Sequence, residues 1–309
     1  MSAPTGSAME HLMVTPQYEL DASALVDHVH SIGRCVIAFS GGVDSAVVAA
    51  AACRADRLRR ITMSRGNVQW DRGQTGSIAV TADSPSVSRE QFETAVRVAA
   101  EIGIRHQIVC TDEIDREDYR VNDRRRCFHC KQTLYATLKE FARSNQIPVL
   151  LSGTNADDLG DYRPGIEAGN LAGVAVPLAV LGLTKDRVRG IANHWKISIF
   201  DRPAQPCLSS RIAYGVRVTS ERLRRIELAE QFLRTRHYSP LRVRLLENEE
   251  ARIEVAIDEI DRLCQPDQWR DVTDYLLSLE FRSVSVDSNG FRSGSMNELV
   301  QLAMRPKTT

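Results

Sequence analysis

The stretch VIAFSGGVDSAVVAA, residues 36–50, decides the fold. A run of apolar residues gives way to Ser-Gly-Gly and then to an alanine-rich helix, the order strand, glycine turn, helix. Gly41 and Gly42 allow a tight turn and a close approach of ligand to backbone. The N–H groups of the first helical turn, opened by Val43, and the helix dipole make an anion site. Ser40 and Ser45 add hydroxyls. A Walker loop adds a lysine for the β- and γ-phosphates, whereas here the acidic Asp44 lies in the first turn. A carboxylate beside phosphates points to a bridging Mg²⁺. Such a loop suits a pyrophosphate that leaves, so that ATP is cleaved between its α- and β-phosphates and AMP goes onto a substrate. Taken alone, the segment also admits a plainer reading, a turn with Asp44 as a helix N-terminal charge.

Outward from this loop, strands alternate with helices. Helices are expected over 20–32, 43–55, 88–103, 130–145 and 184–195, the last with Thr184 at its N-cap. Strands are expected over 34–39, 76–82, 105–110 and 148–153, and 174–178 is short and apolar. That alternation means βα units on a parallel sheet. Residues 57–77 interrupt it and read as a small hairpin or surface insertion, with Trp70 as a loop anchor. After about residue 217 the pattern becomes helix (219–236), strand (241–246), strand (251–257), helix (267–280) and strand (281–287), a separate small α/β domain. The expected division is a loose tail over 1–19, the nucleotide domain over 20–216 and the small domain over 217–309. Trp195 and Trp269 read as core.

Lys plus Arg and Asp plus Glu are 40 each, for a formal net charge of zero. The total therefore favours neither nucleic acid nor an anionic membrane surface as partner. No run of about 18 apolar residues suggests a membrane span, and the first 20 residues lack the plan of a secretory signal. Seven cysteines are too few for a disulfide scaffold, so a reducing, cytoplasmic setting is expected. Cys35, Cys53, Cys110 and Cys264 read as buried apolar residues. Cys127, Cys130 and Cys207 remain for chemistry.

The whole SGGVDS string resembles the PP-loop of the ATP pyrophosphatase superfamily, which implies an adenine nucleotide α-hydrolase-like fold and substrate activation by adenylation. GTNADDLGDYRPG (153–165), LTKDRVR (183–188 and Arg189), RPAQPCLSSRIAYG (202–215) and RVRLLENEEARIE (242–254) narrow this. As a linked set over about residues 20–262 they resemble the LarE family, ATP-dependent sulfur transferases that help build a nickel-pincer nucleotide cofactor. Ser152, where an acid is expected, and the 57–77 insertion depart from the family pattern.

The resemblance implies roles residue by residue. A substrate carboxylate, on a pyridinium-3,5-biscarboxylate mononucleotide, attacks ATP, and pyrophosphate leaves to the loop. Cys207 attacks the acyl carbon and releases AMP. Cleavage of its Cβ–S bond would leave a thiocarboxylate on the product and dehydroalanine in the protein. Alternatively Cys127, Cys130 and Cys207 hold a [4Fe–4S] cluster with one open iron, as in some family members, and that version is preferred because all three thiols are present. Arg202 and Arg211, near Cys207 in sequence, would favour its thiolate. Gly153 and the acidic run with Asp158 follow a strand end, where ligands of open α/β sheets bind, although turn chemistry also explains the acids. Arg242 and Arg244 alternate on one strand and with Glu254 make a fork suited to a substrate phosphate. Glu230 is a base or an orienter. A homo-oligomer is implied through the small domain. The rival readings are a tRNA thiolase, an ATP-dependent amide synthetase and a non-enzymatic nucleotide sensor.

Overall fold

The computed structural model describes residues 7–64, 76–160 and 164–292. Trp70 and the acidic Asp161 lie outside the described residues. The chain forms two compact units. The first gathers described residues of Met1–Ser84, Arg89–Glu113 and Cys127–Gln205, and the second those of Pro85–Ser88, Ile114–Arg126 and Pro206–Thr309.

In chain order the elements are α1 (Ser7–Ile32), β1 (Cys35–Ala38), α2 (Val43–Ser64), β2 (Ile78–Asp83), α3 (Arg89–Ile102) and β3 (Arg105–Cys110). A short α4 (Glu117–Arg120) in the second unit precedes α5 (Arg126–Ser144). Then come β4 (Val149–Leu151), α6 (Pro164–Leu171), α7 (Pro177–Val180) and α8 (Lys185–His194). The four strands are parallel in the order β3-β2-β1-β4. Ile37 lies in register between Ala79 and Leu151.

The pleat explains the layers. Cys35, Ile37 and Ala79 point into one core with α1, α2 and α8, while Val36, Ile78 and Val80 point into another with Tyr135, Leu138 and Ala142 of α5. Helices on both faces bury the inner strands almost completely, as parallel sheets require. The alanines of α2, among them Ala49–Ala52, are fully buried, and their small size lets neighbouring helices pack closely. Thr184 caps α8 by accepting from the Arg187 amide, as its sequence position predicts.

Several expectations are corrected. Helix α1 starts at Ser7, so part of the expected tail is helical. The Asp21 carboxylate on α1 holds Arg187 of α8, and Tyr18 lies where a Cβ on Gly190 would be 2.2 Å from its ring, so α1 is tied to α8. Helix α2 runs on to Ser64, which removes the hairpin from 57–64. Arg59 fixes this extension by pairing with Asp56 at 2.6 Å and donating to the His30 and Gly33 carbonyls. Cys35 and Cys53 are buried, but Cys110 and Cys264 are exposed. Cys110 ends the edge strand β3, which has a neighbour on one side only among the described residues.

The second unit adds α9 (Ser220–Thr235), β5 (Leu241–Leu245), β6 (Glu250–Val255), α10 (Ile260–Leu263), α11 (Pro266–Ser278) and β7 (Ser283–Val286). Its sheet has the order β5-β6-β7, antiparallel then parallel. Cys264 caps α10 at the surface. Trp195 packs against the α1–α2–α8 core with the Arg54 guanidinium 4.1 Å from its ring, and Trp269 is half-buried on α11 rather than fully in the core. Among the described residues no helix is long and apolar enough to cross a membrane.

Burial pushes the Cys35 thiol up to about 12. A brief iodoacetamide pulse at pH 8, read by peptide mass spectrometry, should therefore label the exposed Cys110, Cys127 and Cys264 first and leave Cys35 unmodified until the protein unfolds.

Candidate functional site

The loop after β1 is shaped by approaches that no side chain could share. Gly41 has φ +72°, and a Cβ there would lie 2.7 Å from Ala95 Cα of α3. A Cβ on Gly153 would lie 2.6 Å from the Ser45 amide nitrogen. Ser45 is buried and works inside the loop: its hydroxyl donates to Gly42 O at 3.0 Å and accepts from Ser40 N at 3.3 Å. The loop is thus clamped between α3 and the turn after β4, with amides at the start of α2 held in place.

Ser40, Gly41, Gly42, Val43 and Asp44 line a cavity of about 170 Å³. Two further cations line it that the sequence reading did not assign to the nucleotide site. Lys185 Nζ stands 2.5 Å from Asp44 Oδ2, and Asn155 Nδ2 donates to Asp44 Oδ1 at 3.3 Å. Arg202, expected near the thiol, instead pairs with Glu90 and donates to Thr94 Oγ1 at 2.7 Å, both in the first unit. The available signal for Lys185 was its position directly after the Thr184 cap. Asp158 accepts from the Asn155 amide at 3.1 Å and Asp157 from the Lys185 amide at 2.8 Å, which is turn and helix-start chemistry. Among the described residues, the carboxylate that lines the cavity is Asp44. That fits Mg²⁺ carried mainly by nucleotide phosphates, the usual mode for this ion. Among the described residues no group of three or more His, Cys, Asp and Glu is gathered to hold a metal.

In the second unit Cys207 is half-buried at the head of a 3₁₀ turn, Leu208–Arg211. Arg211 folds back over this turn. Its Nη1 donates to Cys207 O at 3.0 Å and its Nε to Glu230 Oε1 at 3.0 Å. Arg244 donates to Ser210 O at 2.8 Å and forms a two-pronged pair with Glu254 at 2.9 and 3.2 Å. Glu230, 1% exposed, also accepts from Arg234 at 2.7 Å and from the Val243 amide at 3.2 Å. A carboxylate engaged by three donors suits orienting rather than proton transfer. Arg242 is buried, with the Phe291 ring 4.6 Å from its guanidinium and, among the described residues, no carboxylate at ion-pair distance. Burial, then the charges of Arg244 and Arg211, push its pKa down. Among the described residues, buried Glu230 and Glu254 pair with Arg211 and Arg244, and the charge of buried Arg242 is left without a counter-charge. Burial of such a charge is costly unless an anion compensates it.

Cys127 and Cys130 lie in the first turn of α5, exposed and half-buried respectively. Three residues apart on a helix, they share a face. They fit two ligands of a cluster from one side.

A strand–SGGVDS–helix loop at the end of a four-stranded parallel sheet defines a PP-loop nucleotide-binding protein. Residues 20–162 match the asparagine synthase family model. The chain is 31% identical over 282 residues to pyridinium-3,5-bisthiocarboxylic acid mononucleotide synthase of Lactiplantibacillus plantarum, which covers 91% of this chain and 95% of that protein. It is 37% identical over 269 residues to an uncharacterized protein of Synechocystis, covering 87% and 94%. With an uncharacterized protein of Methanocaldococcus jannaschii it shares 26% over 215 residues, covering 70% and 75%. The chain belongs to the family of the Lactiplantibacillus plantarum synthase, the LarE family.

The two charged environments predict opposite responses. Glu254→Gln, which strips buried Arg244 of its counter-charge, should cost about 3–5 kcal/mol in urea unfolding. Arg242→Met should be neutral or stabilising by about 1 kcal/mol; phosphate should raise the melting temperature of the wild type and leave that of Arg242→Met unchanged. A third variant, Gly41→Ala, should lose about 2–4 kcal/mol from positive φ and overpacking against Ala95.

Proposed function

We propose that this chain is an ATP-dependent sulfur transferase that adenylates a carboxylate of pyridinium-3,5-biscarboxylate mononucleotide and converts it to a thiocarboxylate. The observation that carries this reading is the buried arginine cluster built onto the turn that begins at Cys207. An anionic, phosphate-bearing substrate held by Arg242 and Arg244 is recognised next to a thiol that can attack its activated carbonyl.

The residues divide the work. Ser40, Gly41, Gly42 and Val43 offer backbone and hydroxyl groups to the departing pyrophosphate, while Asp44 binds the Mg²⁺ that arrives with ATP. The substrate carboxylate displaces pyrophosphate from the α-phosphate and gives the acyl-adenylate. Where Cys207 is itself the sulfur source, its thiolate then attacks the acyl carbon and expels AMP; where Cys207 instead holds a cluster, it keeps the sulfur donor beside that carbon. Arg211 positions the thiol by holding the carbonyls of its turn, and Glu230 orients Arg211. Gly153 and Asp158 act on the nucleotide through the loop they build beside Asp44.

For the sulfur itself, the preferred source is a [4Fe–4S] cluster that needs Cys127 and Cys130 as well as Cys207. Such a cluster, held by these three thiols, would supply the sulfide that replaces AMP on the acyl carbon. The other source is Cys207 alone, whose Cβ–S bond breaks by elimination. The paired thiols at the start of α5 support the first. The small number of cysteines for a chain of this length supports a reducing, cytoplasmic setting. Assembly of several copies through the small domain completes the proposal.

The test combines ATP–pyrophosphate exchange with metal analysis. Wild type should catalyse exchange only when the carboxylate substrate is present, and Cys207→Ser should keep exchange but form no thiocarboxylate. Exchange that needs no carboxylate, or thiocarboxylate formation by Cys207→Ser, would count against the mechanism. Anaerobically purified protein should contain about four irons per chain, lost in Cys127→Ala. No iron after reconstitution, together with a mass loss at Cys207 of one H₂S per turnover, would assign the sulfur to the cysteine. An RNA gel shift should show no binding, in contrast to a tRNA thiolase, and light scattering should report more than one copy.

A further inference from the structure

The loop over 40–45 lacks the lysine of a Walker loop, but another segment of the same unit delivers one to the same cavity. Lys185 is the first residue of α8. Its amide is fixed by Asp157 and the preceding Thr184 caps the helix, so the root of the side chain is set. Its ammonium reaches Asp44 Oδ2 at 2.5 Å, on the wall shared with Ser40, Gly41, Gly42 and Val43. The second Asp44 oxygen accepts from Asn155 at 3.3 Å. The pair is only partly buried, the two side chains being 29% and 23% exposed, so solvent can help it separate. Asp44 is the carboxylate that lines the cavity among the described residues. An ammonium and a Mg²⁺ competing for the same carboxylate oxygen repel each other, and the lysine stem is long and flexible while its root stays put.

We propose that Lys185 binds the pyrophosphate portion of ATP and does so by exchanging partners with Mg²⁺. Before nucleotide binds, its ammonium rests on Asp44. When Mg²⁺·ATP enters, the metal takes the Asp44 oxygen and the ammonium moves to the β- and γ-phosphates, where it neutralises charge as pyrophosphate departs. This rests on the adenylation reading of the same cavity and adds to it the missing cation of the loop, its origin on α8 and the order of its contacts. AMP, which lacks both outer phosphates, gains nothing from Lys185.

Calorimetry on the full chain tests this with pyrophosphate, ATP and AMP as probes, each with Mg²⁺ and with EDTA. Lys185→Met should weaken Mg²⁺·pyrophosphate and Mg²⁺·ATP by about 10- to 100-fold, the loss of one charge-assisted contact, and change AMP by less than about twofold. Lys185→Arg should recover most of the loss. Asp44→Asn, which releases the ammonium, should tighten metal-free pyrophosphate in EDTA while removing the benefit of Mg²⁺. A lysine that only braces Asp44 would give a different pattern, with Lys185→Met costing no further pyrophosphate affinity in the Asp44→Asn background. Either that pattern or unchanged affinities would overturn the proposal, and an Asp44→Asn variant that binds metal-free pyrophosphate no better than wild type would overturn the exchange. Unchanged affinities with intact thiocarboxylate formation would sink this inference alone. The predicted pattern in a protein that thiolates no carboxylate would sink the sulfur-transfer reading and keep this one.

Discussion

Everything in the nucleotide site depends on two backbone segments coming closer than a methyl group allows. Gly41 lies against Ala95, and Gly153 lies against the first turn of α2. These contacts hold the loop between two neighbours, so that the amides at the start of α2 face one cavity instead of sampling many directions. Gly41 alone could make the turn, being the residue that tolerates positive φ. Its need for space fixes where the turn sits. Ser45 completes the clamp from inside, and its hydroxyl bonds to the loop carry much of the local order.

The second unit rests on a different balance. Arginines and glutamates are buried together there, where charge is tolerated only if it is paired. Glu230 and Glu254 satisfy Arg211 and Arg244 and tie both to the backbone around Cys207. Arg242, in the same layer, has an aromatic ring and a carbonyl for company. Among the described residues that charge has no carboxylate partner, and an apolar side chain of similar size would be more stable there.

The two units also differ in how their polar groups are used. Around the loop, Asp157 and Asp158 start a helix and close a turn, and Asp44 is the acid that faces the cavity. Two acids adjacent in sequence thus serve turn and helix start, while Asp44, from the loop after β1, lines the cavity. Cys110 and Cys264 make the same point for thiols. One sits in an apolar strand pattern and the other closes a helix-like run, yet an edge strand and a helix end leave them in solvent.

By itself the sequence determined the strand–glycine–helix loop, the βα alternation and the period-2 strands that carry Arg242 and Arg244, because these follow from local geometry and periodicity. It also carried the linked motifs of the LarE family. The tertiary structure decided which of the marked residues meet. Lys185 lies 141 positions from Asp44 and reaches it only because α8 packs beside α2. Arg202 is drawn to Glu90 and Thr94, although its neighbour in sequence is the thiol loop. Helix α2 continues through an Arg-rich segment that reads as a break, because Asp56 and two carbonyls of the α1–β1 turn are there to receive Arg59. Local preference sets what each segment can become, whereas the partner of a charged side chain is chosen by packing across distances that no sequence window spans.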